Sequence, residues 1–308
     1  MSRLDIFEDF SMKTRMKSKL ARCLLAEFFC TAFLLYCGFN VTAQTVLGEG
    51  KSNNYTGTSI GWALAITFAI QLGYNISGSH MNPAVSFLMF TFGQLSLPHF
   101  FYYFIAQTSG AFLGSALTFF QYYDLINSFD KGNRTVHGPG ATAFFFATYP
   151  HENLTFSGAF YDQTMCTFMI GFIIGIVTDP KNKIPRPAQP PMFGLMILLM
   201  CLGFGLNAGN AMNPARDLGP RLFTLCAGYG IEVFSYWDYH WFWIPIICPL
   251  IGGTAGGWFY RIVFSSNNDE FEEFKSLPLT SPVWIPDKST IDLLELPSKL
   301  RVEESSFK

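Results

Sequence analysis

The sequence predicts an all-α membrane protein with six transmembrane helices and two half-length helices, arranged as an inverted repeat. Half of the 308 residues are hydrophobic and 14% are charged, whereas soluble domains carry about 25% charged residues. Six apolar segments are long enough to supply the ~20 helical residues that a bilayer requires. A seven-residue motif occurs twice, once in each half of the chain.

The apolar segments set the predicted organisation of the chain. The six spans are 23–46, 58–76, 97–120, 160–178, 191–206 and 241–264, and two shorter apolar stretches are 83–92 and 214–225. At 1.5 Å per residue, each short stretch covers about half a bilayer. We therefore expect a membrane domain at 23–264, with halves at about 23–120 and 160–264. An N-terminal segment precedes it at 1–22, and a polar, acidic tail expected to be disordered follows at 265–308.

Basic residues and glycosylation sequons predict one orientation. Lys and Arg cluster before the first span and between the fourth and fifth, which the positive-inside rule places in the cytoplasm. Both termini are then cytoplasmic, in a multi-pass protein that we expect in the plasma membrane. The segments after the first and third spans face outward and contain three Asn-X-Thr sequons, which are candidate N-glycosylation sites: Asn54, Asn133 and Asn153.

The repeated motif is the most specific signal in the sequence. Segments 78–84 (GSHMNPA) and 209–215 (GNAMNPA) agree at five of seven positions. Each follows the second span of its half and opens one of the short apolar stretches. Because three spans separate equivalent points of the two halves, the second half enters the membrane upside down relative to the first. This is the inverted-repeat architecture of many membrane transport proteins.

The chemistry of the motif predicts two half-helices that meet near the bilayer midplane. Pro83 and Pro214 suit the first position of a helix, and Asn82 and Asn213 suit the N-cap before it. Each helix N-terminus carries about half a positive charge, so a facing pair would repel cations and protons. The remaining N–H groups of the Asn amides could point into a lumen. The non-helical residues before each Asn are expected to line that lumen with carbonyl groups: Gly78, Ser79, His80, Met81, Gly209 and Ala211.

On these residues the chain resembles the aquaporin family of major intrinsic proteins, over about residues 19–264. The sequence after the second motif, Asn213-Pro214-Ala215-Arg216-Asp217, resembles the aquaglyceroporin branch, in which Asp follows the Arg. Ala84 and Ala215 complete the two Asn-Pro-Ala motifs. The resemblance implies the aquaporin fold, a homotetramer with one pore per subunit, and passive conduction of glycerol, water and small uncharged solutes such as urea, with no cofactor.

The resemblance also implies a selectivity filter on the outer side of the pore. Its arginine corresponds to Arg216 and its large aromatic residue to Trp62. Two further filter positions depart from the branch: Cys201 stands where Gly is usual, and Asn210 stands where an aromatic or bulky apolar residue is usual. A more polar filter could favour water or urea relative to glycerol, and the sequence leaves that balance open.

Four polar residues lie at membrane depth beside the motifs. Glu27 resembles the family's buried Glu that holds the backbone of a half-helix motif, and Gln163 corresponds to it in the second half. Asp217 is expected to brace the second half-helix and its loop, in addition to marking the branch. His80 invites the hypothesis that it senses cytoplasmic pH. An unchanged pH dependence of permeability in His80→Ala would remove that hypothesis.

Several other functions remain as alternatives. A water-selective pore with little glycerol flux is the nearest. A coupled secondary transporter also uses inverted repeats but needs ion or proton sites at the midplane. An ion channel is disfavoured by the paired positive helix ends and by Arg216. No nucleophile–base pair or metal cluster is evident from residue spacing, so we expect neither an enzyme nor a bound metal. The net charge of −2 gives no indication of nucleic acid as a partner.

Overall fold

A computed structural model describes residues 16–265, so the predictions for the first fifteen residues and for the tail after 265 lie outside the described range. Residues 16–265 form helices and loops and include no strand. The α-helices are α1 (Lys19–Leu47), α2 (Tyr55–Gly73), α3 (Pro83–Thr91), α4 (Leu97–Gln121), α5 (Tyr123–Asp130), α6 (Phe156–Thr178), α7 (Gln189–Phe204), α8 (Pro214–Thr224), α9 (Glu232–Ser235) and α10 (Ile244–Tyr260).

Polar N-caps explain why three long helices begin three or four residues before the predicted spans. Ser18, Asn54 and Thr155 each accept a hydrogen bond from the backbone N–H three residues later, at 3.2, 2.9 and 3.1 Å. Such caps satisfy N–H groups that have no partner within the helix. The helices therefore start at polar residues just outside the apolar runs.

The sixth predicted span begins later than expected because its first residue belongs to the loop. Trp241 lies outside α10 and is fully buried. Its indole N–H donates to the carbonyl oxygen of Thr148 at 2.6 Å. A tryptophan at this position also suits the lipid–water interface, but here the ring is buried and its N–H binds a loop carbonyl. Beyond α10 the chain continues as a π-helical turn at Arg261–Ser265.

Four helical stretches are long and apolar enough to cross a bilayer: Lys19–Leu47, Phe156–Thr178, Arg186–Phe204 and Ile244–Ser265. The other two predicted spans correspond to α2 and α4, which have 19 and 25 residues. In α4 the polar residues Gln107, Ser115 and Thr118 are fully buried. They lower the mean hydropathy of the helix without facing lipid.

Each half-helix packs against a long helix from the other half of the chain. In the first half α1 packs against α4, and in the second half α6 packs against α10. The half-helix α3 from the first half packs against α10, and α8 from the second half packs against α4. Each half-helix is therefore held by a long helix of the opposite half, which brings the two motifs together at the centre.

Glycines allow the long helices to cross closely. A Cβ built at Gly110 would lie 2.2 Å from the carbonyl oxygen of Phe28, and one at Gly252 would lie 2.0 Å from that of Thr164. Gly253 differs, since a Cβ there would meet its neighbours at 3.4 Å or more. Small residues allow backbones to approach in membrane helix pairs. Glycines therefore allow close approach of the backbones in the α1–α4 and α6–α10 pairs.

Replacement of Gly256 by Ala should destabilise the α6–α10 pair. The added Cβ would lie 1.9 Å from the carbonyl oxygen of Phe168, so the helices must separate, at a cost of about 1–3 kcal/mol. Thermal unfolding in detergent micelles measures the change. Gly203→Ala is the control, because a Cβ there meets no atom within 4 Å. Equal melting temperatures for the two variants would contradict the expected clash.

Candidate conducting pore

A single cavity of about 500 Å³ contains both predicted motifs. Asn82 and Asn213 line it, together with the residues that precede them. The six residues expected to supply carbonyls, 78–81 with Gly209 and Ala211, all belong to its lining. Trp62 and Arg216 line the same cavity. The protein therefore brings the two motifs and the predicted filter residues into one space.

The two Asn side chains cap their own helices and bind the opposite motif. The Oδ1 of Asn82 accepts from the N–H of Ala84 at 2.8 Å, and that of Asn213 accepts from Ala215 at 3.0 Å. The Nδ2 of Asn82 donates to the carbonyl oxygen of Met212 at 2.9 Å, and that of Asn213 donates to Met81 at 2.8 Å. These reciprocal bonds hold the two helix N-termini face to face. An amide nitrogen has two N–H groups, so each retains one beside the lumen.

The backbone before each Asn adopts left-handed conformations that L-residues rarely use. The φ angles are +49° at Ser79 and Met81 and +43° at Met212. Such conformations cost of order 1 kcal/mol or more and persist only where surrounding contacts impose them. In the first motif the imposing group is Glu27.

Glu27 is fully buried and accepts four hydrogen bonds. Its Oε1 accepts from the hydroxyl of Ser77 at 2.6 Å and the N–H of His80 at 2.9 Å. Its Oε2 accepts from the N–H of Met81 at 2.7 Å and the side-chain amide of Gln107 at 2.8 Å. A buried carboxylate is tolerated when its oxygens are satisfied in this way. The side chain thus fixes the strained segment before Asn82.

Gln163 occupies the corresponding place in the second half but makes weaker contacts. Its Nε2 donates to the carbonyl oxygen of Gly209 at 3.3 Å and to Asp162 at 2.8 Å. Its buried Oε1 has no hydrogen-bond partner among the described residues. Gln163 therefore touches the backbone of the second motif, but it does not accept from backbone N–H groups as Glu27 does.

His80 lies at the cavity wall within the Glu27 network. Its Nδ1 is 3.1 Å from the hydroxyl oxygen of Ser86, which also accepts from Gln107 at 3.0 Å. Its Nε2 has no hydrogen-bond partner among residues 16–265. The pH-sensing hypothesis stays a prediction.

The outer constriction is built around Arg216. One guanidinium N–H group donates to the carbonyl oxygen of Phe146 at 2.6 Å. The guanidinium carbon lies 5.1 Å from the ring centre of Phe39 and 5.3 Å from that of Trp62. The indole N–H of Trp62 donates to the hydroxyl of Thr42 at 3.1 Å. The tryptophan therefore offers its apolar ring, not its N–H, to the filter.

Phe39 and Thr42 were not identified from the sequence, and Phe146 was not assigned to the filter. Phe39 is fully buried and packs edge-on against Trp62, with ring centres 5.6 Å apart. Thr42 follows it by one turn on α1, so both reach the constriction because α1 packs against α2. These contacts join positions far apart in the chain, and no local pattern indicates them.

The two filter positions that depart from the branch lie in the cavity wall. Cys201 and Asn210 both line the cavity. The Oδ1 of Asn210 is buried and has no hydrogen-bond partner in the described part of the chain. Arg216 thus supplies donors to the constriction, whereas the Oδ1 of Asn210 is not accessible to a solute.

A buried ion pair fixes the loop behind Arg216. Asp217 accepts from the N–H and the hydroxyl of Thr148 at 2.9 and 2.5 Å. It also accepts from Arg221 at 2.7 and 2.9 Å. Arg221, fully buried, donates in turn to the carbonyl oxygens of Thr148 and Val233 at 2.7 and 2.6 Å. Arg221 was given no role from the sequence, although an Arg one turn after an Asp within an apolar segment was a usable signal.

The three sequon asparagines are exposed. Asn54 also caps α2 through its Oδ1. Glycosylation at Asn54, Asn133 and Asn153 stays a prediction. No cluster of His, Cys, Asp or Glu suited to a metal ion occurs within residues 16–265.

Two inverted half-helices that meet in one cavity, beside a fixed arginine, are the arrangement of a membrane channel. The family model "Major intrinsic protein" matches residues 14–260. The chain is 42% identical to mouse Aquaporin-9 over 80% of its length and 83% of that protein. It is 41% identical to human Aquaporin-10, covering 84% of this chain and 86% of that one.

A solved structure shares the fold. The aquaglyceroporin from Plasmodium falciparum superposes with a TM-score of 0.71 at 30% identity, covering 79% of this chain and 96% of the other. The chain therefore belongs to the major intrinsic protein family and has the aquaporin fold. It is an integral membrane protein and a passive channel for water, glycerol and other small solutes, not an enzyme.

Proposed function

We propose that the cavity conducts glycerol, water and urea down their gradients and excludes ions and protons. The observation that carries the proposal is the reciprocal bonding of Asn82 and Asn213. It fixes two positive helix ends beside the lumen while each Asn keeps one N–H for a passing solute. A neutral hydroxyl or water can accept that hydrogen bond, whereas a cation meets the positive potential of both helix ends.

The outer constriction suits a polyol. The ring of Trp62 offers an apolar wall to the carbon backbone of glycerol, and the guanidinium of Arg216 offers donors to its hydroxyl groups. The charge of Arg216 adds a second barrier to cations. In this role Asp217 and Arg221 act as supports of the loop and do not contact solute.

Coupled transport is disfavoured by the chemistry of the cavity wall. No Asp or Glu occurs among the described residues that line the cavity. Glu27 lies behind the wall with four hydrogen-bond donors already bound to it. A carboxylate of the kind that binds coupling ions is therefore lacking in this wall.

The assembly and location are part of the same proposal. We infer a homotetramer in the plasma membrane with both termini in the cytoplasm. Large apolar side chains on the outer faces of the helices, such as Phe68 at 61% exposed and Ile105 at 62%, support burial against lipid or against neighbouring subunits.

The direct test is stopped-flow light scattering of proteoliposomes in water, glycerol and urea gradients. The proposal expects all three permeabilities to exceed those of empty vesicles. Water permeability without glycerol permeability would favour the water-selective alternative. Saturable glycerol uptake that depends on an ion gradient would favour the coupled transporter.

Replacement of Asn210 by Phe should shift selectivity from urea to glycerol. Asn210 lines the cavity, and a phenyl ring in its place would offer the carbon backbone of glycerol a second apolar wall, worth about 0.8 kcal/mol for each CH₂ group that it covers, or roughly fourfold in rate. The urea-to-glycerol permeability ratio should fall by that factor. Leu206→Phe, at a residue 86% exposed, is the control. An unchanged ratio in Asn210→Phe would remove Asn210 from the filter.

A further inference from the structure

One corner of the constriction joins α2 to the end of α7. Tyr55, the first residue of α2, donates its hydroxyl hydrogen bond to the carbonyl oxygen of Cys201 in the last turn of α7. Tyr55, Cys201, Gly205 and Asn210 all line the cavity. Cys201 and Asn210, the two filter positions that depart from the branch, therefore lie beside Tyr55. The resemblance does not assign this tyrosine to the filter.

The bond satisfies a carbonyl group that the helix itself leaves without a partner. The last four carbonyls of an α-helix have no intrahelical donor. The helix α7 ends at Phe204, so the carbonyl group of Cys201 is the first of these four in chain order. Because Tyr55 supplies the donor from another helix, the distance between α2 and the end of α7 is fixed at the cavity wall.

Gly205 shows how closely this corner is packed. A Cβ built on Gly205 would lie 2.8 Å from the Nδ2 of Asn210, 2.9 Å from the hydroxyl oxygen of Tyr55 and 3.3 Å from the carbonyl oxygen of Cys201. The three groups therefore converge on a glycine that has no side chain to separate them. A displacement of the Tyr55 hydroxyl would therefore change the packing around the side-chain amide of Asn210.

We propose that Tyr55 is a positioning residue of the filter. Its hydroxyl holds the last turn of α7, and with it Asn210, at the separation from Arg216 that determines how large a solute can pass. The proposal rests on the proposed conduction of polyols. It concerns discrimination among solutes larger than water, since a water molecule passes whether the corner is tight or relaxed.

Tyr55→Phe removes only the hydroxyl oxygen. Without this hydrogen bond the last turn of α7 should admit wider solutes such as erythritol, a four-carbon polyol. The ratio of erythritol permeability to glycerol permeability should rise about threefold, which is the effect of one modest hydrogen bond. Water permeability should stay within about twofold of the wild type. The readout is stopped-flow swelling of proteoliposomes with each solute. Tyr161→Phe is the matched control, because Tyr161 is 67% exposed on α6.

Gly205→Ala tests the same group of contacts and should change the selectivity in the opposite direction. The backbone at Gly205 has φ −84° and ψ −14°, which Ala adopts without strain. The new Cβ would press against Asn210 and Tyr55, so the erythritol-to-glycerol ratio should fall by about threefold. Gly203→Ala, whose Cβ meets nothing within 4 Å, controls for the added methyl group.

A ratio is the deciding quantity because misfolding changes the number of channels and scales every permeability equally. Unchanged ratios in both Tyr55→Phe and Gly205→Ala would overturn the proposal. Ratios that shift in opposite directions support it. A wild-type channel with no glycerol flux would refute the proposed polyol conduction. The role of Tyr55 would then be decided by the urea-to-water ratio of the same variants, which should rise in Tyr55→Phe and fall in Gly205→Ala.

Discussion

Replacement of Arg216 by Val is expected to raise proton and sodium flux at least about tenfold while water permeability stays within about threefold of the wild type. A unit charge about 4 Å from a permeating cation contributes roughly 4 kcal/mol at an effective dielectric constant of ~20. Removing it therefore eliminates one of the two barriers, and the paired helix ends remain as the second. A pH-sensitive dye trapped in proteoliposomes measures the proton flux.

The matched control is Lys51→Ala. Lys51 is an exposed cation whose ammonium lies 2.8 Å from Glu49, and it is not among the residues that line the cavity. Its loss should leave ion flux unchanged. Full cation exclusion in an Arg216→Val channel that still conducts water would show that the fixed charge is dispensable.

Replacement of Glu27 by Gln is expected to destabilise the protein by about 3–5 kcal/mol and to abolish water flux. The amide keeps the size of the side chain but offers one acceptor where the carboxylate offers two. Its NH₂ group would face donors such as the N–H of Met81, which now donates at 2.7 Å. The left-handed segment before Asn82 then loses the contact that imposes it. Thermal unfolding in detergent and size-exclusion chromatography measure the loss.

Gln163→Leu provides the comparison within the same inverted repeat. Its single bond to the backbone of the second motif measures 3.3 Å, so the expected cost is about 1 kcal/mol. If the two variants were equally stable, Glu27 would not be the group that maintains the first motif.

The central site was predictable because its signals are local. An Asn followed by Pro specifies an N-cap and a first helical position, and both half-helices begin at Pro83 and Pro214 as predicted. Because three predicted spans separate the two copies of the motif, the second half had to be inverted in the membrane relative to the first. Helix starts were less accurate, because the capping residues Ser18, Asn54 and Thr155 are polar and lie outside the apolar runs.

The rest of the filter depends on helix crossings that the sequence does not reveal. Thr42 meets Trp62 across α1 and α2, and Tyr55 meets Cys201 across α2 and α7. Neither pair is linked by any spacing rule. Trp241 illustrates the same limit, since its partner is a loop carbonyl more than ninety residues away in the chain.

The pairing of the two motifs is tested most directly by measuring water, glycerol and proton flux in parallel. All three are measured in one preparation of wild-type proteoliposomes. The facing helix ends at Asn82 and Asn213 predict water and glycerol permeabilities well above those of protein-free vesicles, with proton flux equal to the protein-free background. Proton flux that rises in proportion to the amount of reconstituted protein would contradict that charge barrier.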